Sequence, residues 1–220
     1  MTLEGTSTYI YGEGPCRVID PGPDEPSHLE AVRAAAEERG GAAEVILTHS
    51  HGDHAAGAGR LGVPIVVPSE GEERGGLRAL ATPGHAEDHV SLLTADGVCF
   101  SGDLVLGEGS TIVPPDGGSL ASYLESLRRL QREPIDLICP GHGPWITDPA
   151  AKLDEYVEHR LMRERRLLAA LDRGERSRAA LLAEAWSDVP EELRAAAAFA
   201  MEAHLQKLEA EGRLPAGLTD

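Results

Sequence analysis

The chain has 220 residues, 41 % of them hydrophobic, enough to bury one full core and a small appendage. Its formal net charge of −17 argues against a partner gripped by its phosphates, because such binding needs clustered Lys and Arg. Residues 1–150 carry 9 basic and 23 acidic groups and residues 151–220 carry 11 and 14, so the acidity is concentrated in the first part. No run of about 18 apolar residues is present, which excludes a helical membrane span. Met1-Thr2-Leu3-Glu4-Gly5 has neither a basic nor an apolar leader region, so no signal peptide and a cytoplasmic location are expected. Cys16, Cys99 and Cys139 are odd in number and lack C-x-x-C spacing. Each sits in or beside an apolar segment, as buried free thiols in a reducing compartment would.

Strands and helices alternate up to about residue 150. Residues 8–11 and 16–20 read as a hairpin around Gly12-Glu13-Gly14-Pro15, broken by Pro21-Gly22-Pro23. Residues 28–39 place Leu29, Val32, Ala35 and Ala36 on one helical face, ended by Gly40-Gly41. Glu44-Val45-Ile46-Leu47-Thr48 is a buried strand that delivers His49-Ser50-His51-Gly52-Asp53-His54. Residues 64–67, 77–81, 90–93, 98–100 and 135–139 are further short strands. Residues 119–131 form an amphipathic helix with Ser119 as N-cap. After Trp145 the composition shifts. Helices are expected over 150–172, 178–186 and 191–211, closed by Gly174 and Gly212 at the first and last ends. The chain therefore divides into a unit at 1–149 and a small helical unit at 150–220, the latter covering one rim of the site.

Four motifs carry ligand-type residues, and each lies where an apolar strand runs out. They are His49 to His54, Pro83-Gly84-His85, Ser101-Gly102-Asp103 and Pro140-Gly141-His142-Gly143. His49 and His51, two apart, point to one side of an extended backbone, and Asp53 and His54 follow in a Gly-led turn. A lone His after Pro-Gly is ordinarily an exposed turn residue, and a lone Asp an ordinary cap. Repetition of the same strand-end context four times reverses that reading, because loops at strand ends are where a scaffold gathers distant residues. Imidazole and carboxylate donors in this number suit two borderline divalent cations: Zn²⁺ first, with Mn²⁺ or Fe²⁺ as alternatives.

These residues resemble the signature of the metallo-beta-lactamase superfamily: H-x-H-x-D-H, a lone His, a lone Asp after Ser-Gly, and a late Gly-His. The resemblance spans about residues 5–150. It implies an α/β fold, an αββα sandwich with a dinuclear zinc site at one edge. His49, His51 and His85 would hold one metal, Asp53, His54 and His142 the other, with Asp103 bridging. A narrower resemblance is to the beta-lactamase-like protein 2 group. It rests on Gly5-Thr6-Ser7-Thr8-Tyr9, Thr82 to His89, Ser101 to Gly109, Pro140 to Pro144, Glu158 to Glu164 and His204 to Glu209. That group carries a winged-helix-like C-terminal domain, and some of its members cut single-stranded RNA or hydrolyse thioesters. Ser7 stands where the group usually has Asn. Members also usually begin with a further strand upstream of Met1, so either that strand is absent or the native start lies upstream. The short stretch from His54 to His85 suggests an open site.

The implied mechanism is hydrolysis by a metal-bound hydroxide, with Asp53 and Asp103 as the catalytic carboxylates and no Ser or Cys nucleophile. His89 reads as a residue that orients a ligand. His159 and Arg160 are candidate substrate contacts, with a surface salt-bridge role as the alternative. A small thioester or ester is the expected substrate. Single-stranded RNA is the alternative, served by Arg160, Arg163, Arg165 and Arg166, which Glu158 and Glu164 partly neutralise. A DNA-binding regulator is the reading from another class. It is disfavoured because the last helix carries Glu191, Glu192, Glu202, Glu209 and Glu211 against Arg194 and Lys207.

Overall fold

Alternation along short strands sorts side chains onto two faces and so decides the layering. The computed structural model describes residues 5–220, so most of the stretch from which the absence of a leader was read lies outside the described residues. β1 (Tyr9–Tyr11) and β2 (Cys16–Ile19) pair antiparallel, with Ile10 opposite Val18. α1 (Pro26–Glu37) opens on a proline, whose fixed backbone suits the first helical turn, and buries Leu29, Val32 and Ala36. β3 (Ala42–Ile46) runs parallel to β2. A single helical turn, α2 (Gly52–Ala55), carries the second half of the first ligand-type motif, and β4 (Ile65–Val66) then joins β3 in parallel.

The second sheet is β5 (Glu73–Arg74), β6 (Leu77–Ala81), β7 (Val90–Thr94) and β8 (Val98–Gly102), paired antiparallel in that order. α3 (Leu120–Leu130) crosses outside it. Its N-cap Ser119 accepts the Ser122 N–H at 3.2 Å, as expected of that residue. β9 (Leu137–Pro140) then adds parallel to β8. The two-residue β5 has no apolar run, and periodicity could not mark it.

Ile19 and Ile46 of the first sheet meet Leu77, Ala79, Val90, Leu92 and Phe100 of the second. Val18, Val45 and Leu47, on the opposite face, pack on Val32 and Ala36 of α1. Leu80, Leu93, Cys99 and Ile138 pack on Tyr123, Leu124 and Leu127 of α3. The result is the expected αββα sandwich. Its three cysteines are buried and free.

α4 (Pro149–Asp172) is shared between two cores. Leu153 and Tyr156 near its start join the α3 cluster. Leu167, Ala170 and Leu171 near its end build a second cluster with Leu181 of α5 (Arg178–Ala185) and with Met201, Leu205 and Leu208 of α6 (Arg194–Ala210). The helix expected from residue 191 begins as a 3₁₀ turn, Glu191–Leu193, before α6 proper, a common way for a helix to start. Beyond the helices, Ser177 and Thr219 form an isolated parallel bridge. Among the described residues no helix is long and apolar enough to cross a membrane.

The turn that carries His85 is seated directly on α3. Gly84 has φ +140°, and a Cβ there would stand 2.4 Å from Cα of Tyr123. Its carbonyl also accepts the Ser119 N–H at 2.8 Å. Gly84→Ala should therefore cost about 2–4 kcal/mol, combining overpacking with backbone strain. Urea unfolding is the measurement, and a loss below about 0.5 kcal/mol would refute the close seating.

Candidate metal centre

Strand direction gathers the motifs. β3 is followed by Thr48 and His49, β6 by His85, β8 by Asp103 and β9 by His142, while α2 carries Asp53 and His54. All seven side chains meet at one edge of the sandwich. His51 Nδ1 lies 3.1 Å from His49 Nε2 and 2.9 Å from His85 Nε2. His142 Nε2 is 3.4 Å from Asp53 Oδ2 and 3.4 Å from Asp103 Oδ1. His54 Nε2 is 3.3 Å from Asp103 Oδ1, and Asp103 Oδ2 is 3.6 Å from His85 Nε2. Asp103 thus stands between a three-histidine group and the Asp53, His54, His142 group.

Hydrogen bonds behind the rings fix which nitrogen faces inward. The Thr48 hydroxyl donates to Asp20 Oδ2 at 2.6 Å, so its oxygen accepts the His49 Nδ1–H at 3.0 Å. His54 Nδ1–H donates to Asp20 Oδ2 at 2.9 Å, His85 Nδ1–H to the Ile112 carbonyl at 2.7 Å, and His142 Nδ1–H to the Gly5 carbonyl at 2.9 Å. Each of these four rings presents Nε2 to the centre. His51, less enclosed than those four, presents Nδ1. Partners of this kind hold metal-binding imidazoles in one tautomer and orientation.

Asp20 is the residue that sequence reasoning missed. It is buried, has φ 47°, and accepts the Thr48 N–H at 2.8 Å in addition to its two side-chain donors. The signal was available, since Asp20 also ends a strand ahead of a Pro-Gly turn. His89 lies behind Asp103. Its Nε2 accepts the Asp103 N–H at 3.1 Å and its Nδ1 lies 2.9 Å from the Thr82 hydroxyl.

The donor set fits divalent cations. His54 Nε2 and Asp103 Oδ1 are buried, face each other and have no aligned hydrogen-bond partner. Unsatisfied buried groups cost roughly 1–3 kcal/mol each, and a cation where they converge removes that cost. A Cβ on Gly141 would lie 2.6 Å from His54 Cε1 and 2.7 Å from Asp103 Oδ1, so only glycine leaves the space open. Electrostatics agree. Burial together with the neighbouring His89 and His54 pushes the His49 pKa far down, which keeps its lone pair free. At Asp103 burial is overcome by His142 and His54, which hold its carboxyl well below the usual range. Burial alone would lower His54, but Asp103 and Asp20 overcome it and raise the ring to about 10.

Neither His159 nor Arg160, both on α4, is among the clustered donors. Arg160 is 4 % exposed, and its guanidinium binds the Ser110 hydroxyl at 3.1 Å and the Thr111 carbonyl. His159 Nε2 accepts from Arg163 Nε at 3.3 Å. Burial, then Arg160 and Arg163, lower its pKa to about 4.

Residues 2–68 and 62–142 match the metallo-beta-lactamase superfamily, and residues 179–214 match the beta-lactamase associated winged helix domain. The chain belongs to the metallo-beta-lactamase superfamily of hydrolases, with a winged-helix domain at its C-terminus, and its family and His/Asp clusters point to divalent metal binding. It is 32 % identical to the beta-lactamase-like protein 2 homolog of Drosophila melanogaster, over 97 % of this chain and 85 % of that protein. An atrochrysone carboxyl ACP thioesterase of Aspergillus chevalieri is 34 % identical over 77 % of this chain and 61 % of that protein. A metallo-beta-lactamase family protein from Thermus thermophilus shares the fold, with a TM-score of 0.74, 24 % identity, and coverage of 94 % of this chain and 89 % of that one.

With no metal bound, Asp103 and Asp20 favour the protonated His54 ring. The folded-state pKa of about 10 lies above the ordinary value of about 6.5. Its contribution to stability is therefore complete below pH ~6.5 and lost as pH rises through ~10. An NMR titration of the metal-free protein should find this ring protonated at pH 8, and titration near 6.5 would contradict the geometry.

Proposed function

We propose that the chain is a dinuclear metal-dependent hydrolase of thioesters or small esters, with zinc as the first candidate and manganese or iron as alternatives. The observation that carries the reading is the convergence of seven donor side chains, two of which are buried with unsatisfied atoms facing inward. His49, His51 and His85 would hold one ion, Asp53, His54 and His142 the other, with Asp103 between them. We further divide the chain into a catalytic unit at 1–149 and a winged-helix-like unit at 150–220, with α4 as the element that joins them.

Divalent cations held by these residues would supply a nucleophile at neutral pH and neutralise charge on the electrophile. The chain's own side chains position and exclude. Asp53 is more exposed than Asp103, its side chain at 36 % against 11 %, and would be the carboxylate to accept a hydrogen bond from a water at the site. Asp103, fixed by the His89 ring on its N–H, keeps the two donor groups in register. Gly141 and Gly102 leave room where any side chain would collide with His54, Asp103, Thr48 or His89.

The substrate preference is supported by the thioesterase relative and by how the arginines of α4 are used. Arg163 binds Asp188 and the Ala185 carbonyl, Arg166 binds Asp188 at 3.1 Å, and Arg165 lies 3.4 Å from Glu158. Arg160 is buried. A single-stranded RNA needs a continuous positive groove and aromatic platforms. Each of the four arginines has a partner within the chain, which favours an acyl substrate over RNA.

The purified protein should carry about two divalent ions per chain, mainly zinc. Elemental analysis finding under about half an equivalent, with none taken up on zinc addition, would refute this. Asp103→Ala should weaken metal binding and lower kcat/KM by more than about a hundredfold, and activity surviving within tenfold would remove Asp103 from its bridging place. Assays at matched metal loading should find turnover of model thioesters, with only weak, salt-sensitive cleavage of single-stranded RNA. Efficient RNA cleavage without esterase turnover would reverse the preference.

A further inference from the structure

One buried cation outside the donor cluster reaches that cluster through measured contacts. Arg160, on α4, is 4 % exposed, and its partners are a hydroxyl and a carbonyl rather than a carboxylate. Its guanidinium lies 5.3 Å from the centroid of the Tyr123 ring, and its Nε has no partner. Burying a guanidinium without a counter-charge is costly, so the position calls for compensation elsewhere.

The compensation lies in the loop that Arg160 holds. Thr111, whose carbonyl takes the guanidinium, donates its hydroxyl to the Asp103 carbonyl at 2.9 Å and lies 3.3 Å from the Leu104 carbonyl. The next residue, Ile112, offers the carbonyl that orients His85. The same loop is clamped by Tyr123, whose hydroxyl donates to the Leu104 carbonyl at 2.6 Å. Tyr156 on α4 accepts the Leu106 N–H at 3.1 Å and donates to the Gly109 carbonyl at 3.1 Å. From Arg160, a single residue leads to the backbone of Asp103, and one more leads to the ring of His85.

We propose that Arg160 is a positioning residue for the metal centre: from α4 it sets the loop at 103–112, and through that loop it fixes Asp103 and His85. The inference rests on the metal-binding reading above. It makes the second core part of the site's rigidity, because the helix that carries Arg160 is anchored at its far end by Leu167, Ala170 and Leu171. It also explains why the residue is arginine. A planar guanidinium can span the Ser110 hydroxyl and the Thr111 carbonyl while lying over an aromatic ring, whereas a lysine ammonium is a compact point charge.

The test compares the full-length protein with Arg160→Gln, Arg160→Lys and Thr111→Val, using Arg165→Ala on the exposed face of α4 as control. Zinc affinity is measured by competition with a chromogenic chelator, well below each variant's Tm. Arg160→Gln and Thr111→Val should each weaken zinc binding about 10–100-fold, with Arg160→Lys between them and the parent. The double variant should lose less than the sum of the two, since both act through one path. In the metal-free protein the His85 Nδ1–H resonance should shift or broaden in Arg160→Gln and stay in place in Arg165→Ala. Zinc affinity within twofold of the parent in both Arg160→Gln and Thr111→Val, with the His85 signal unmoved, would overturn the proposal. Should Arg160→Gln fail to fold, Thr111→Val and Arg160→Lys decide by the same criteria. A parent that takes up no zinc would sink the metal reading instead, and the His85 resonance alone would then decide whether Arg160 orders the loop.

Discussion

Groups that can each bind a cation are crowded together at the centre of this molecule, more of them than the protons between them can pair. Three ring nitrogens of His49, His51 and His85 approach to 3.1 and 2.9 Å, while Asp103 lies against His54 and His142 at 3.3 and 3.4 Å. Within that group a proton on His51 Nδ1 can serve only one of its two neighbouring ring nitrogens, so the contacts inside it are incomplete. The surrounding protein must therefore impose the arrangement from behind. It does so with Asp20 under His54 and Thr48, the Ile112 carbonyl under His85 and the Gly5 carbonyl under His142. Removing one of these supports would let a ring turn, and a turned ring offers an N–H where a lone pair is needed.

The supports come from widely separated parts of the chain, and this explains what could be read from sequence. The seven donors were legible because chemistry fixes their side-chain types, and because each follows an apolar strand by a few residues. The sandwich was legible for a related reason, since Val18, Val45 and Leu47 alternate with Ile19 and Ile46 across the two faces of one sheet. The carbonyls of Gly5 and Ile112 were not legible, because every residue has a carbonyl and only the fold decides where it points. Asp20 lay between these cases. Its side chain is specific, yet its partners Thr48 and His54 are far along the chain, and a lone Asp before Pro-Gly reads as a turn.

The arginines of α4 show the converse. In sequence, positions 160, 163, 165 and 166 look like one basic patch. A helix turns about 100° per residue, so these positions cannot share a face. Arg160 and Arg163 point inward and are buried, while Arg165 and Arg166 remain outside and are paired with Glu158 and Asp188. Counting charge along a chain overstates the field it can present whenever the carriers lie at helical spacing and acidic neighbours stand within reach.

The same separation bears on substrate choice. The protein carries −17 overall and is most acidic in the part that holds the donors, so a polyanion meets repulsion at long range. At short range the centre has the opposite demand, since inward nitrogens and carboxylates call for cations, and those cations attract whatever electron-rich oxygen arrives. A long RNA feels both effects, with most of its phosphates outside the reach of the centre. A small acyl compound feels chiefly the second, because one carbonyl oxygen is all it must present. Salt screens the long-range term within about 8–10 Å and leaves the local one nearly intact. On the proposed reading, discrimination between an acyl compound and RNA would therefore fall to the acidic exterior, and the donors at the centre need not distinguish them.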